Sequence, residues 1–205
     1  MRTSLADEPM DGNPVDDGPV DDELMMMQFE FRNAVEEDIP ELVKLGKETI
    51  AEVYGEILSE DRLEPWIKGD RMRSNVIQLW RNMIVAERES EIVAVAAYFE
   101  DKVALLWVHP AHHRKGIGSI LLGIVETELK NSGHEVAKLD CFSDNERAMG
   151  FYLAQGWKPL FEEMDQEVGA LKTVMAKTLK KEGWMVSYEL EFTAENHIKN
   201  SNSQI

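Results

Sequence analysis

The chain is short of several things. It has one cysteine, Cys141, in 205 residues, so it can form no intramolecular disulfide and no cysteine-based zinc cluster. A lone thiol fits a reducing, cytoplasmic setting. No apolar run approaches the roughly 20 residues that a membrane-spanning helix needs, and the N-terminus lacks the basic-then-apolar order of a signal peptide. Basic residues are also scarce: 22 Lys and Arg against 39 Asp and Glu give a net charge of -17. This argues against general nucleic-acid binding, which needs positive surface to meet phosphates, but leaves room for a local basic pocket. His109 and His112 have no carboxylate or cysteine at ligand spacing, so they read as loop and surface residues, and no metal site is expected.

What is present is a globular core, with 43% hydrophobic residues, between two different ends. Residues 1–26 form an acidic, proline-bearing segment; positions 1–24 carry eight acidic residues and one basic residue. Such a stretch cannot bury enough apolar surface to order itself, and it reads as a disordered tail. The folded domain is expected over 27–180. Its opening, QFEFRNA, alternates as a strand does. Asp38, Pro40 and Glu41 then read as cap, first turn and capping partner of a long amphipathic helix. A second helical region covers about 59–80, with Pro65 and Gly69 expected to break it. NMIVAER and EIVAVAAYF form a hairpin around Glu89-Ser90, and KVALLWV is a further strand. A helix over about 117–131, the strand HEVAKLDCF, the helix NERAMGFYLAQ and the strands LFEEM and LKTVMAKTL complete the domain. In the C-terminal extension, 181–205, residues 184–193 alternate as a strand. Its apolar face needs cover, which points to a homodimer.

The densest chemistry lies in HPAHHRKGIGSILL, residues 109–122. The basic turn joins a strand to a helix. A helix N-terminus offers N–H groups without intrahelical partners and a partial positive charge. Gly116 and Gly118 let an anion approach the backbone closely, and Arg114 and Lys115 add formal charge. The spacing matches neither the P-loop nor the dinucleotide fingerprint, so the turn alone leaves two readings, a phosphate site or an ordinary basic turn. The second signal is Asn145 followed seven residues later by Tyr152. At 100° per residue that is close to two turns, so both side chains share one helix face about 10 Å apart, with Ala148 between them. Either the pair contacts an amide-bearing ligand, or Asn145 is a helix cap and Tyr152 a core aromatic.

Taken together, the opening FRNAVEEDIPEL, the block VHPAHHRKGIGSILL and the block NERAMGFYLAQGW resemble the GNAT superfamily of acetyl-CoA-dependent N-acetyltransferases from about residue 28 to 179. The resemblance implies an α/β (α+β) fold. Its mixed, mostly antiparallel central sheet would be splayed around acetyl-CoA and flanked by about four helices, with the extra C-terminal strand appended. Pantetheine would pair with the backbone of Leu106, Trp107 and Val108, much as an added strand does. The pyrophosphate would rest on N–H groups of Arg114, Lys115, Gly116, Ile117, Gly118 and Ser119. His113 stands where the family usually has Gln or Arg. Asn145 and Tyr152 would complete the cofactor side.

The implied reaction is direct attack of a primary amine on the thioester. An alkylamine with a pKa of about 10.4 is mostly protonated at neutral pH, so a base must take its proton and an acid must serve the thiolate that leaves. Tyr152 matches the family's general acid. Asp140, five residues before Asn145, stands where the related ribosomal-protein alanine acetyltransferases carry a glutamate; it is the candidate base, acting through water, unless it is a strand-end carboxylate with a structural partner. Glu100 is a weaker candidate. Cys141 is expected to be buried and inert. The acceptor is either a small amine or a protein N-terminus or lysine, and a third alternative is a non-catalytic acyl-CoA-binding module. Tyr54, Glu56, Glu60, Asp61, Glu64 and Trp66 could form an acidic, aromatic acceptor site for a cationic amine, or simply the solvated faces of two helices.

Overall fold

A computed structural model describes residues 28–55, 57–166 and 168–179. The acidic tail, the strand expected at 184–193 with the dimer it suggested, and Glu56 lie outside these residues. Seven strands form one sheet in the order β1-β2-β3-β4-β5-β7-β6. They are β1 (Glu30–Asn33), β2 (Met83–Arg88), β3 (Glu91–Phe99), β4 (Lys102–Val108), β5 (Val136–Phe142), β6 (Lys158–Asp165) and β7 (Ala170–Thr178). Every neighbouring pair is antiparallel except β4 and β5. The helices are α1 (Ile39–Tyr54), α2 (Glu60–Ile67), α3 (Arg71–Leu79), α4 (Ile117–Asn131) and α5 (Glu146–Ala154). The described residues thus hold five α-helices where about four were expected, because the region 59–80 divides in two. The division falls at Gly69, between α2 and α3. Pro65 is no break; it sits inside α2.

Strand alternation sorts the core into two clusters on opposite faces of the sheet. Met83 and Val85 of β2, with Val95 and Ala97 of β3, pack beneath α1, α2 and α3. Ile84 and Ala86, with Ala94 and Ala96, pack against α4, as do Leu139 and Cys141 of β5. Both strands read as nearly unbroken apolar runs because both of their faces are covered. Gly46 lets α1 come close to the sheet. A Cβ there would stand 2.5 Å from Met72 Sδ and 2.7 Å from Trp107 Cζ3.

Asp38 begins α1 without capping it through its side chain, which corrects the expected cap. Its carboxylate reaches back to Val35 N–H at 2.8 Å and takes a forked pair of bonds from Arg32 at 2.6 and 3.0 Å. Burial works to raise the Asp38 carboxyl, yet Arg32 and the Val35 N–H outweigh it and hold it below the usual carboxylate range. Glu41, the expected capping partner, instead accepts from the Ile92 N–H at 2.7 Å and ties α1 to β3.

Candidate active site

β4 and β5 are adjacent and parallel, but their register contains one Cα pair, Lys102 with Lys138. β4 is zipped to β3 along its length, from Lys102 to Val108. β5 is zipped to β7 from Val136 to Phe142. Beyond Lys102 the two strands therefore part, and the edge of β4 that faces β5 is left open. A cleft of about 900 Å³ occupies the gap, a size suited to a ligand of several hundred daltons.

The glycine turn forms one wall. After β4 the chain makes a short 3-10 turn, Pro110–His112, capped by the His109 ring, which accepts from the Ala111 N–H. Arg114 and Gly116 then take left-handed backbone angles, φ 58° and 77°, a conformation that costs glycine little and arginine more. The first bonds of α4 run from Ser119 and Ile120 to the Gly116 carbonyl, so the N–H groups of Ile117 and Gly118, two residues that line the cleft, precede the helical ladder. A Cβ added at Gly118 would lie 3.6 Å from both Phe151 and Val108. A methyl there would thus make ordinary van der Waals contact with both.

The expected cofactor residues gather at this cleft. Leu106, Trp107, Val108, His113, Arg114, Gly116, Ile117, Gly118 and Ser119 line it, as do Asn145 and Tyr152. Some of their polar groups are already engaged. His113 turns inward, and its Nε2–H donates to the Val108 carbonyl at 2.7 Å while its other ring nitrogen faces Arg147. Burial, and then the Arg147 charge, lower its pKa against the opposing pull of that Val108 bond. The ring is therefore neutral at pH 7 and holds the loop, rather than presenting a donor to a ligand. Ser119 Oγ accepts from Gln155 at 3.0 Å. Lys115 reaches His112 at 3.4 Å and is absent from the cleft lining. The sequence reading missed Arg147, which lines the cleft. A cation in the first turn of a helix opposes the helix dipole, and that anomaly was the available signal.

Asn145 bears out the cap reading and also sits on the cleft. It is the N-cap of α5, with Oδ1 accepting from the Ala148 N–H at 3.1 Å, and it is also a buried residue on the cleft. Tyr152 packs edge-on against Phe151 and Trp157 while lining the same space. Tyr152, Tyr54 and Cys141 lie near enough to influence one another, and burial raises all three pKa values, with Tyr54 at about 12 and Cys141 at about 11. All three therefore keep their protons at neutral pH, and Cys141 is no nucleophile. Asp140 projects from the β5 face opposite Leu139 and Cys141. It accepts from Lys172 at 3.2 Å and from Lys102 at 3.4 Å. Nothing in the pattern LKTVMAKTL singled out Lys172 as its partner.

Of the two readings of the acidic residues around α2, the solvated-face reading holds for those described. Glu60 and Glu64 extend to solvent beside Lys68, and Asp61 beside Arg62. Of the described residues in that set, Tyr54 and Trp66 line the cleft.

The sequence from 51 to 157 matches the Acetyltransferase (GNAT) family, a span of just over half the chain. The protein belongs to this family of acetyltransferases. Solved structures agree on the fold of this GNAT chain. An N-acetyltransferase from Rhodopseudomonas palustris is 17% identical, with a TM-score of 0.63 over 74% of this chain and 96% of that one. The PaiA N-acetyltransferase from Thermoplasma acidophilum, solved in complex with coenzyme A, is 22% identical, with a TM-score of 0.62 over 74% and 99%. A Salmonella typhimurium protein described as a putative acetyltransferase with its cofactor acetyl-CoA is 16% identical, with a TM-score of 0.54 over 76% and 96%. No curated protein matches the sequence.

Proposed function

We propose that this GNAT protein moves an acetyl group from acetyl-CoA to a primary amine by direct attack. The observation that carries the reading is the parting of β4 from β5 after Lys102, which opens the cleft between the start of α4 and Tyr152. The residues present fit the co-substrate. The open β4 edge offers backbone groups for an amide chain. The N–H groups of Ile117 and Gly118 and the Arg114 and Arg147 guanidiniums suit a pyrophosphate. When bound, acetyl-CoA supplies the activated acetyl group as a thioester.

The chain supplies position and protons. Tyr152 is the proton donor for the departing thiolate; burial keeps its phenol protonated well past pH 10. Asp140 has the structural partners of its alternative reading, Lys102 and Lys172; because it also lines the cleft, we assign it as the proton acceptor, working through water. Since the free amine attacks, the rate rises with pH as the amine loses its proton. Because the Tyr152 pKa is raised, the descending limb of the profile lies above pH 10.

Thiol release from acetyl-CoA across a broad panel of amines tests this. Tyr152→Phe is expected to lower kcat by about 10²- to 10⁴-fold while coenzyme A binds as before. A wild-type rate in that variant, or a descending limb below pH 9, would remove Tyr152 as the acid. Coenzyme A binding without turnover of any amine would establish the non-catalytic alternative.

A further inference from the structure

One cation of the glycine turn takes no part in the cleft. Lys115 is absent from its lining, and its Nζ reaches His112 Nδ1 at 3.4 Å. The His112 ring in turn meets Phe29 edge-on, with centroids 6.1 Å apart. Phe29 follows Gln28, the exposed residue at which the described fold begins. The glycine turn and the entry point of residues 1–27 are therefore two contacts apart. On the cleft side of the same turn, Arg114 and Arg147 are exposed. Among the described residues, no carboxylate forms an ion pair with Arg114, Lys115 or Arg147, whereas Arg88 is paired with Glu89 at 3.5 Å and His109 faces Glu48 at 3.9 Å. Glu91 and Glu52 come near enough to influence the His112 and His113 rings, but they neutralise none of the three cations by contact. Burial, and then the Lys115 charge, hold His112 below its usual pKa, so a neutral ring leaves the ammonium charge uncancelled.

The sequence that enters beside these cations is strongly acidic. Residues 14–17 and 19–22 both read PVDD, and Glu23 follows the second copy. The six residues from Asp22 to Gln28 reach at most about 20 Å when extended, which spans the two contacts to Lys115. Resting on the acetyl-CoA reading of the cleft, we propose that this acidic segment, residues 14–23, lies on Arg114, Lys115 and Arg147 and competes there with the pyrophosphate of acetyl-CoA. A guanidinium fork fits a carboxylate and a phosphate in the same way, so one set of donors cannot serve both ligands at once. Each exposed ion pair is weak. Attachment to the same chain a few residues away makes the segment a competitor at high effective concentration, and paired aspartates let it engage two cations together. The segment is then an autoinhibitory brake that cofactor displaces and salt loosens.

Two full-length proteins test the proposal: wild type, and a variant with Asp16→Asn, Asp17→Asn, Asp21→Asn, Asp22→Asn and Glu23→Gln. Calorimetry with coenzyme A reads the competition. The variant should bind about fivefold more tightly at about 20 mM salt. The two should converge at about 0.5 M salt, where the screening length is about 4 Å. General repulsion of coenzyme A by the segment would give the same affinities, so a second readout reports contact. Residues 1–26 contain no lysine, so a zero-length carbodiimide can join their carboxylates to lysine only elsewhere on the chain. The expected product, mapped by mass spectrometry, links residues 16–23 to Lys115 within one chain, and coenzyme A suppresses it. Equal coenzyme A affinity of the two proteins at low salt overturns the competition. Links to other lysines in place of Lys115, links that coenzyme A leaves intact, or links that form only between chains overturn the docking of the segment on its own glycine turn. Failure of both proteins to bind coenzyme A overturns the cofactor reading itself, and the competition with it.

Discussion

In β2 and β3, the segments from Met83 to Ala86 and from Ile92 to Ala97 are buried, with helices over both faces. In β6, Leu160, Phe161 and Met164 are at least half exposed. The sheet is thus thickly covered on the N-terminal side of the cleft and thinly covered at the far edge of the other side. The covered half sets the edge of β4 and the glycine turn. The other half carries Asp140 and Asn145 and leads into Tyr152. It is fastened to α4 by polar bonds as well as by packing. Glu126 on α4 accepts from Trp157 Nε1 at 2.9 Å and from Lys177 Nζ at 2.7 and 2.8 Å. The contrast indicates that burial is thickest beside the edge of β4 and the glycine turn, while the wall bearing Asp140, Asn145 and Tyr152 adds a few polar anchors to its packing.

Three substitutions probe that contrast. Ile84→Ala, in the doubly covered half, should cost about 2–5 kcal/mol through lost burial and a cavity, as read by urea unfolding. Glu126→Ala removes the anchor between the halves and leaves Trp157 Nε1–H and Lys177 Nζ unpaired in a half-buried site. It should cost about 1–3 kcal/mol, and the amides of β7 should show the loss most in hydrogen exchange. Phe161→Ala deletes a larger side chain than either, yet should change stability by no more than about 0.5 kcal/mol, because water already reaches the ring. A cost for Phe161→Ala comparable to that of Ile84→Ala would show that β6 is covered in solution and would dissolve the comparison.

The parts of the site legible in the sequence were those fixed by local rules. The glycine turn had to sit between a strand and a helix, and Asn145 and Tyr152 had to share a helix face. Helix α4 begins at Ile117 and ends at Asn131, as its apolar spacing predicts. What could not be read was set by partners distant in sequence. Asp38 has the composition of a cap, but Arg32 and Val35 claim its carboxylate. Pro65 does not end α2, although it is the sixth of the eight residues of that helix and removes one ladder N–H. The acidic residues of α2 left an acceptor wall and a solvated face both open, because composition does not reveal which way a short helix faces. Its buried residue is Leu63, and the carboxylates follow the opposite side into solvent. Arg147 meets His113 across 34 residues, and Lys172 meets Asp140 across 32; no spacing rule links such pairs.

Past Lys102, β4 has one edge bonded to β3 and one edge open to the cleft. Successive N–H groups of a strand point alternately to its two sides. Neighbouring residues between 103 and 108 therefore keep different time. Amides turned toward β3 exchange their hydrogens only when the sheet itself opens, while those turned toward the cleft exchange from a wetted groove. A ligand that lies along this edge as an added strand would slow the fast clock and leave the slow one unchanged, so its arrival can be timed residue by residue without watching any chemistry.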